Sequence, residues 1–274
     1  MKKIYIAICL FFIHTAYALP VGNPSEASLY YNGETCCHFC FSGEYCSFGI
    51  GFDGDYVFNR HMRTVNHRVI DTTKISTNAA YLAVNLCERV DIFSSLGVSR
   101  LSLNTSLGAF NSVDPHPLFE VESGSEFSYR VGARATLWQC HCFSLGVMGQ
   151  YFATEPNIKR LYIAAGAVSY PDDDLRTRYS EWQVSSGLSY RFNDFFVPYA
   201  AVRYGHCYWK LGDGENFIIE SNTNTFLFNL KNQRNWGYAV GLTLCPLVCK
   251  KAAVTVEARF PNEKALYVNG QIRF

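Results

Sequence analysis

The chain is rich in thiols, and their number and spacing limit the chemistry they can perform. It has 274 residues and 11 cysteines. Cysteines at this density form disulfides in an oxidising compartment or hold a metal ion. Cys36-Cys37-His38-Phe39-Cys40 offers zinc-ligand residue types, but structural zinc sites usually combine two regularly spaced ligand pairs. We therefore predict no metal site and no bound cofactor.

A run of charge is the second candidate for a functional site. It consists of Asp172, Asp173 and Asp174, with Arg176 close behind. Such a run is most often a solvated loop. In a channel it could instead fold toward the lumen and set the ion preference, because charged groups at a narrow point create electrostatic barriers. Both interpretations stay open, with these four residues as a candidate constriction loop.

No spacing in the chain indicates catalysis. There are seven histidines, but the sequence contains no nucleophile elbow, His-Glu-x-x-His motif or phosphate-binding glycine loop. His116 lies between two prolines and His206 near a strand end, which are positions typical of surface histidines. We predict that the chain is not an enzyme and has no catalytic residue.

The first 18 residues have the pattern of an export signal. Lys2 and Lys3 precede an apolar run over residues 4–13, and Ala16-Tyr17-Ala18 fits a small-x-small cleavage site. We predict a signal peptide over residues 1–18. The alternative, a retained anchor helix, is disfavoured because no long apolar run continues past it. Nor does any later segment have the length of a transmembrane helix.

The composition favours a lipid-facing sheet. Aromatic residues make up 16% of the chain and charged residues only 17%. Strands that face lipid and carry aromatic girdles produce that bias. Lys and Arg number 24 against 23 Asp and Glu, so the charge offers no footprint for nucleic acid.

A two-residue alternation runs through the chain and sets the fold class. In the last segment, 265–274, the even-numbered side chains are mainly apolar and the odd-numbered ones mainly polar. Alternate side chains of a strand point to opposite faces. Bacterial outer-membrane barrels use this pattern, with apolar residues toward lipid and polar residues toward the lumen. The alternative is the last strand of a soluble sandwich.

Ten segments show the strand pattern, and short turns alternate with longer connections. We predict an all-β, transmembrane antiparallel β-barrel of at least ten strands, with room for 12 to 16, short periplasmic turns and longer external loops. The predicted strands begin near residues 47, 78, 92, 125, 143, 178, 195, 236, 252 and 265. The barrel spans 47–274, and residues 19–46 form a Cys-rich N-terminal periplasmic segment or plug.

Charged side chains with the polar parity are assigned to the lumen. A charge toward lipid costs up to about 2–4 kcal/mol near the bilayer midplane. Arginine outnumbers glutamate in the set, so a mild anion preference is expected. The predicted pore-lining residues are Arg130, Arg134, Arg191, Arg203, Glu257, Arg259 and Arg273.

The same topology places most thiols at one end of the barrel. Cys207 alone lies toward the outer end of its strand. Adjacent Cys36 and Cys37 cannot readily bridge to each other. We predict disulfides that link subunits to one another or to cysteine-rich envelope proteins; the alternative is a purely intrachain set. The candidates near the periplasmic side are Cys36, Cys37, Cys40, Cys46, Cys87, Cys140, Cys142, Cys245 and Cys249.

Several stretches resemble the chlamydial major outer membrane porin family. They include Leu19-Pro-Val-Gly-Asn-Pro-Ser25, Val131-Gly-Ala-Arg-Ala-Thr-Leu-Trp-Gln-Cys140 and Val268-Asn-Gly-Gln-Ile-Arg-Phe274. The resemblance implies a trimeric general porin in a disulfide-linked outer envelope. The chain is shorter than typical members, with the missing length in the external loops.

Two functions fit these patterns. The first is an outer-membrane porin that lets small hydrophilic solutes and ions diffuse passively. The second is a nonconducting structural or surface-interaction barrel of the outer membrane. Ten strands leave little lumen once side chains fill it, whereas about 16 leave a channel. The strand number therefore separates the two.

Overall fold

Ten long strands close into a ring in which every neighbouring pair is antiparallel. The structure is a computed structural model that describes residues 19–29, 46–64, 69–106, 118–163, 167–169, 176–211, 229–245, 251–261 and 263–274. The ring strands are Cys46–Arg60 (β1), Thr72–Leu86 (β4), Val90–Ser106 (β5), Glu126–Cys140 (β7), Phe143–Thr154 (β8), Thr177–Tyr190 (β11), Phe196–Leu211 (β12), Trp236–Leu244 (β14), Ala252–Phe260 (β15) and Glu263–Arg273 (β16).

The ring closes between the first and the last strand. β1 pairs with β16 from Gly49 opposite Arg273 to Arg60 opposite Glu263. The order is β5-β4-β1-β16-β15-β14-β12-β11-β8-β7, and β7 returns to β5. A sheet that closes on itself leaves no unpaired edge, as a barrel in lipid requires. The predicted all-β barrel is confirmed, and each predicted strand corresponds to one ring strand.

Shorter strands extend the sheet beyond the ring. β5 pairs with β7 along Val90–Ser99 and with another strand along Ser102–Ser106. A second extension continues from β12. The shorter strands are Met62–Thr64 (β2), Val69–Ile70 (β3), Leu118–Ser123 (β6), Ile158–Ile163 (β9), Ala167–Ser169 (β10) and Asn229–Asn232 (β13). Among the described residues the wall of the barrel therefore has ten strands.

Tight turns join the ring strands at one end, here called the turn end (residues 87–89, 141–142 and 192–195). Cys87, Glu88 and His141 have positive φ angles, as the primed β-turns of hairpins require. The side-chain Oδ1 of Asn193 accepts hydrogen bonds from the backbone N–H groups of Phe195 and Phe196 at 2.9 and 2.7 Å. The opposite end, here called the loop end, carries the short-strand extensions.

The outer surface is apolar and the inner surface polar along each ring strand. On β16, Leu266 and Ile272 are exposed while Asn269 and Arg273 are buried. Aromatic rings in contact with one another mark both borders of the apolar band on one side of the barrel. Toward the loop end these rings belong to Trp182, Tyr204 and Trp236, and toward the turn end to Phe143 and Tyr190. Such aromatic girdles are typical of outer-membrane barrels.

No helix among the described residues has the length and apolar character needed to cross a membrane.

Candidate functional site

The interior of the ring is occupied by a segment of the same chain. All of residues 19–29 are buried, and this stretch is here called the inserted segment. Leu29 O accepts a hydrogen bond from Arg191 at the turn end, at 3.3 Å. Leu19 lies at the other extreme, in an apolar cluster with Val57 and Trp209. The inserted segment therefore runs from the turn end toward the loop end.

The wall contacts the backbone of the inserted segment at several levels. Three wall side chains donate hydrogen bonds to carbonyl oxygens of the segment. Arg203 donates to Leu19 O at 2.9 Å and Gln150 to Pro20 O at 2.6 Å. Asn85 donates to Ala27 O at 3.2 Å. The N–H of Val21 donates to the Glu257 carboxylate at 2.9 Å. These bonds satisfy backbone groups that burial removes from water, which is otherwise costly.

One buried ion pair fixes the inserted segment to the wall. Glu26 Oε2 lies 2.7 Å from Arg134 Nη1, and both side chains are almost fully buried. Gln271 also donates a hydrogen bond to the Glu26 carboxylate. Arg134 pairs in turn with Asp91, with 2.8 Å between Nε and Oδ2, and Asp91 with Arg273 at 2.6 Å. The inserted segment is thus part of the ionic network of the wall.

A second network fills the bore nearer the loop end and centres on Glu263. Its carboxylate lies 2.7 Å from Arg60 Nη2, 3.0 Å from Arg203 Nη2 and 2.8 Å from Arg259 Nε. All four side chains are at most 1% exposed. Arg60 also pairs with Glu181 at 2.7 Å. Three guanidinium groups therefore share one buried carboxylate.

Aspartates of β1 complete the network across the middle of the bore. Asp53 Oδ2 lies 2.7 Å from Arg130 Nη1 and accepts a hydrogen bond from Ser95 at 2.6 Å. Asp55 pairs with Arg259. Within the described part of the chain, the buried charged side chains comprise six arginines and seven acids. The buried acids therefore balance the arginine excess of the predicted pore-lining set, and the anion preference stays a prediction.

An apolar cluster lies where the bore reaches the loop end. It buries Trp209 of β12 together with residues of the ring and the short strands. Its members are Leu19, Val57, Met62, Ile70, Ile75, Leu101, Leu103, Val121, Phe152, Ile158, Leu161, Tyr179, Cys207, Trp209, Leu230 and Ala265. The bore is thus filled by the inserted segment, by ion pairs and by this loop-end cluster.

The predicted pore-lining residues all face the interior or its rim. Six of the seven are buried in the bore, and Arg191 is half-buried at the turn end. The prediction missed Arg60, Asp53, Asp55, Asp91, Glu181 and Glu263. In the candidate constriction loop, Asp172, Asp173 and Asp174 lie outside the described residues. Arg176 is exposed and forms an isolated bridge with Asn157.

The described cysteines are free thiols, and their exposure differs. Cys46, Cys87 and Cys142 are exposed, Cys140 is half-buried, and Cys207 and Cys245 are buried. All of them except Cys207 lie toward the turn end. The candidates Cys36, Cys37, Cys40 and Cys249 lie outside the described residues, so the predicted disulfides stay a prediction.

Maleimide labelling of the folded, reduced barrel should follow this exposure. We expect rapid labelling of Cys87 and Cys142 and none of Cys207, which is 0% exposed. Cys245 should react slowly, because burial raises the pKa of its thiol to about 11 and the thiolate is the reactive form. Peptide mass spectrometry reads out each site, with unfolded protein as the control. Equal labelling of Cys207 and Cys142 in the folded chain would contradict the structure.

Comparison with known proteins identifies relatives of this chain by sequence. A family profile described as Chlamydia major outer membrane protein matches residues 115–173. Major outer membrane porin, serovar L1, of Chlamydia trachomatis is 27% identical over 398 aligned positions, which cover 100% of this chain and 99% of that protein. Major outer membrane porin of Chlamydia muridarum is 25% identical over 410 positions, with complete coverage of both chains. Because this chain has 274 residues, it is shorter than these relatives.

Solved structures with a similar arrangement are also outer-membrane proteins. Outer membrane protease OmpT from Escherichia coli gives a TM-score of 0.42 at 11% identity, covering 86% of this chain and 96% of that one. The translocator domain of autotransporter NalP from Neisseria meningitidis gives 0.42 at 11%, covering 85% and 89%. The relatives confirm the resemblance to the chlamydial major outer membrane porin family. Their match over the whole chain indicates that the protein is located in the bacterial outer membrane.

Proposed function

We propose that this chain is an outer-membrane porin that is closed in the present conformation. It passes small hydrophilic solutes or ions when the inserted segment withdraws and the loop-end cluster, to which Leu19 of that segment belongs, separates. The observation that carries the proposal is a ring with an apolar exterior and a bore lined by charged side chains. The relatives that match over the whole chain are named porins, which supports the same function here.

Withdrawal of the inserted segment, together with separation of the loop-end cluster that contains its Leu19, would let water fill the bore. Arg134, Gln150 and Glu257 would lose their partners in residues 19–29 and become available to water. A wetted ring of both charge signs is the kind of surface that sets ion preference in channels. The width of the opening and this charge ring would determine which solutes pass.

A second candidate is a nonconducting structural or surface-interaction barrel. The observation in its favour is the loop-end cluster, because sixteen buried residues block the bore at a second level. A ten-stranded barrel also has an interior that side chains can fill. On this interpretation the ion pairs in the bore stabilise the wall and nothing passes through it.

Planar-bilayer recording distinguishes the two candidates. The wild-type chain should show rare openings, and Glu26→Lys should raise the open fraction at least about 10-fold, because the introduced ammonium group would repel Arg134 instead of pairing with it. Glu155→Lys, at an exposed pair with Arg178, is the matched control and should behave as the wild type. Persistent silence of a folded Glu26→Lys barrel would favour the nonconducting candidate.

The remaining features of the function follow from the sequence and the resemblance. We propose export through a signal peptide over residues 1–18, contact of the apolar exterior with outer-membrane lipid, and assembly as a homotrimer. Exposed thiols at the turn end, such as Cys87 and Cys142, would link the barrel to cysteine-rich envelope proteins. Gels of whole envelopes with and without reductant test the last point, and a clean monomer without reductant would contradict it.

A further inference from the structure

The wall of the bore binds the inserted segment mainly through the backbone of that segment. Five of its carbonyl groups and one of its N–H groups bond to side chains of the wall. These backbone groups belong to Leu19, Pro20, Val21, Ser25, Ala27 and Leu29. The side chains of the segment make further contacts with the wall. Glu26 pairs with Arg134 and accepts a hydrogen bond from Gln271. Asn23 donates to Thr243 at 3.2 Å, and Ser25 donates to Ser144 O.

Two glycines of the wall also leave room for the inserted segment. A Cβ atom at Gly146 of β8 would overlap with the carbonyl oxygen of Pro24, and one at Gly187 of β11 would lie 2.9 Å from Pro24 Cγ. Real Cβ atoms essentially never approach so closely, so only glycine lets the inserted segment reach the wall here. The side chain of Ser25 donates to Ser144 O at 3.1 Å, next to this point of close approach.

We propose that the bore is a binding site for a peptide that ends in a short 3₁₀ turn, here Glu26–Ser28. The peptide enters from the turn end; residues 19–29 occupy the site, and a separate peptide of the same sequence can occupy it in trans. Backbone contacts make the site tolerant of sequence, while the buried Glu26–Arg134 pair selects an acidic residue at one position. Binding requires only that the inserted segment can leave, and does not depend on whether the bore conducts.

A fluorescent synthetic peptide of residues 19–29 tests the proposal on the full-length chain. The wild-type barrel, whose site is occupied, should bind it poorly. In the Glu26→Lys barrel the inserted segment binds the wall more weakly, while the wall itself is unchanged. Fluorescence anisotropy should therefore show that this barrel binds the peptide at least about 10-fold more tightly than the wild type. A peptide carrying Glu26→Lys should bind that barrel about 100-fold more weakly than the wild-type peptide, since a buried ion pair is broken.

A steric variant tests whether the peptide binds in the bore or at another surface. Adding Gly146→Ala to the Glu26→Lys barrel places a methyl group where Pro24 must lie, so peptide binding should be lost. Circular dichroism confirms that each barrel has folded, and the Glu155→Lys barrel serves as the charge-matched control. Equal binding to the Glu26→Lys barrels with and without Gly146→Ala would overturn the proposal. So would the absence of binding to a folded Glu26→Lys barrel whose residues 19–29 have become accessible to protease. Either result leaves the conductance prediction standing.

Discussion

Replacing Glu263 by alanine should lower the free energy of unfolding by roughly 3–5 kcal/mol, the cost of breaking a buried ion pair by removing one partner. The substitution leaves Arg60, Arg203 and Arg259 without the carboxylate that they share. Uncompensated charge in a low-dielectric interior is costly. Urea titration of the barrel refolded into lipid vesicles, followed by tryptophan fluorescence, measures the change.

Glu122 provides a matched control for this substitution. It also accepts two arginines, Arg100 at 3.3 Å and Arg160 at 3.0 Å, but all three side chains are between 29% and 54% exposed. Exposed pairs contribute little, so Glu122→Ala should cost no more than about 1 kcal/mol. Equal effects of the two substitutions would show that Glu263 is not enclosed by the bore.

Introducing arginine at Val240 should destabilise the folded barrel in the bilayer by about 2–4 kcal/mol. Val240 lies at the middle of β14 and is 43% exposed on the apolar surface, while its neighbour Ala239 is buried in the bore. The charge would therefore be placed in the hydrocarbon layer. The same urea titration in vesicles provides the measurement.

Val240→Leu is the control, because it keeps the site apolar and should change the stability by less than about 0.5 kcal/mol. Detergent micelles offer a second comparison, since their polar surface is closer to every side chain. An arginine at this position that is tolerated in vesicles as well as leucine would place β14 outside the bilayer.

Alternation of residue type was sufficient to predict the wall of the barrel. It identified the ten ring strands, the turns near Cys87 and Asn193, and the inward direction of Arg130 and Glu257. The physical reason is that lipid and the bore impose opposite requirements on the two faces of each strand. The family resemblance, carried by two of these strands and by residues 19–25 of the inserted segment, was confirmed by the relatives.

The centre of the ionic network could not be predicted in this way. Asp53, Asp55 and Val57 follow one parity into the bore, which would place Arg60 toward lipid. A register shift between Val57 and Asn59 reverses the parity, and Arg60 therefore faces Glu263. Such a bulge adds one residue to a strand and leaves no signature in an alternation.

The position of the inserted segment could not be predicted from the sequence either. Its residues, Leu19-Pro-Val-Gly-Asn-Pro-Ser-Glu-Ala-Ser-Leu29, lack any regular period, so a periplasmic segment and a plug were both open. Its place is determined by long-range contacts, such as Glu26 with Arg134 and Val21 with Glu257. Contacts between distant positions depend on how the wall is assembled, and a local pattern does not contain that information.

Hydrogen exchange of the refolded chain in vesicles tests most directly whether the bore is filled by its own N-terminal segment. Five amides in the segment donate hydrogen bonds, those of Val21, Ser25, Glu26, Ser28 and Leu29. Peptide mass spectrometry should find them protected to an extent similar to the amides of ring strands, with the Glu26→Lys chain less protected. Complete exchange of residues 19–29 at the rate of an unstructured tail, in a barrel whose strands stay protected, would contradict the account.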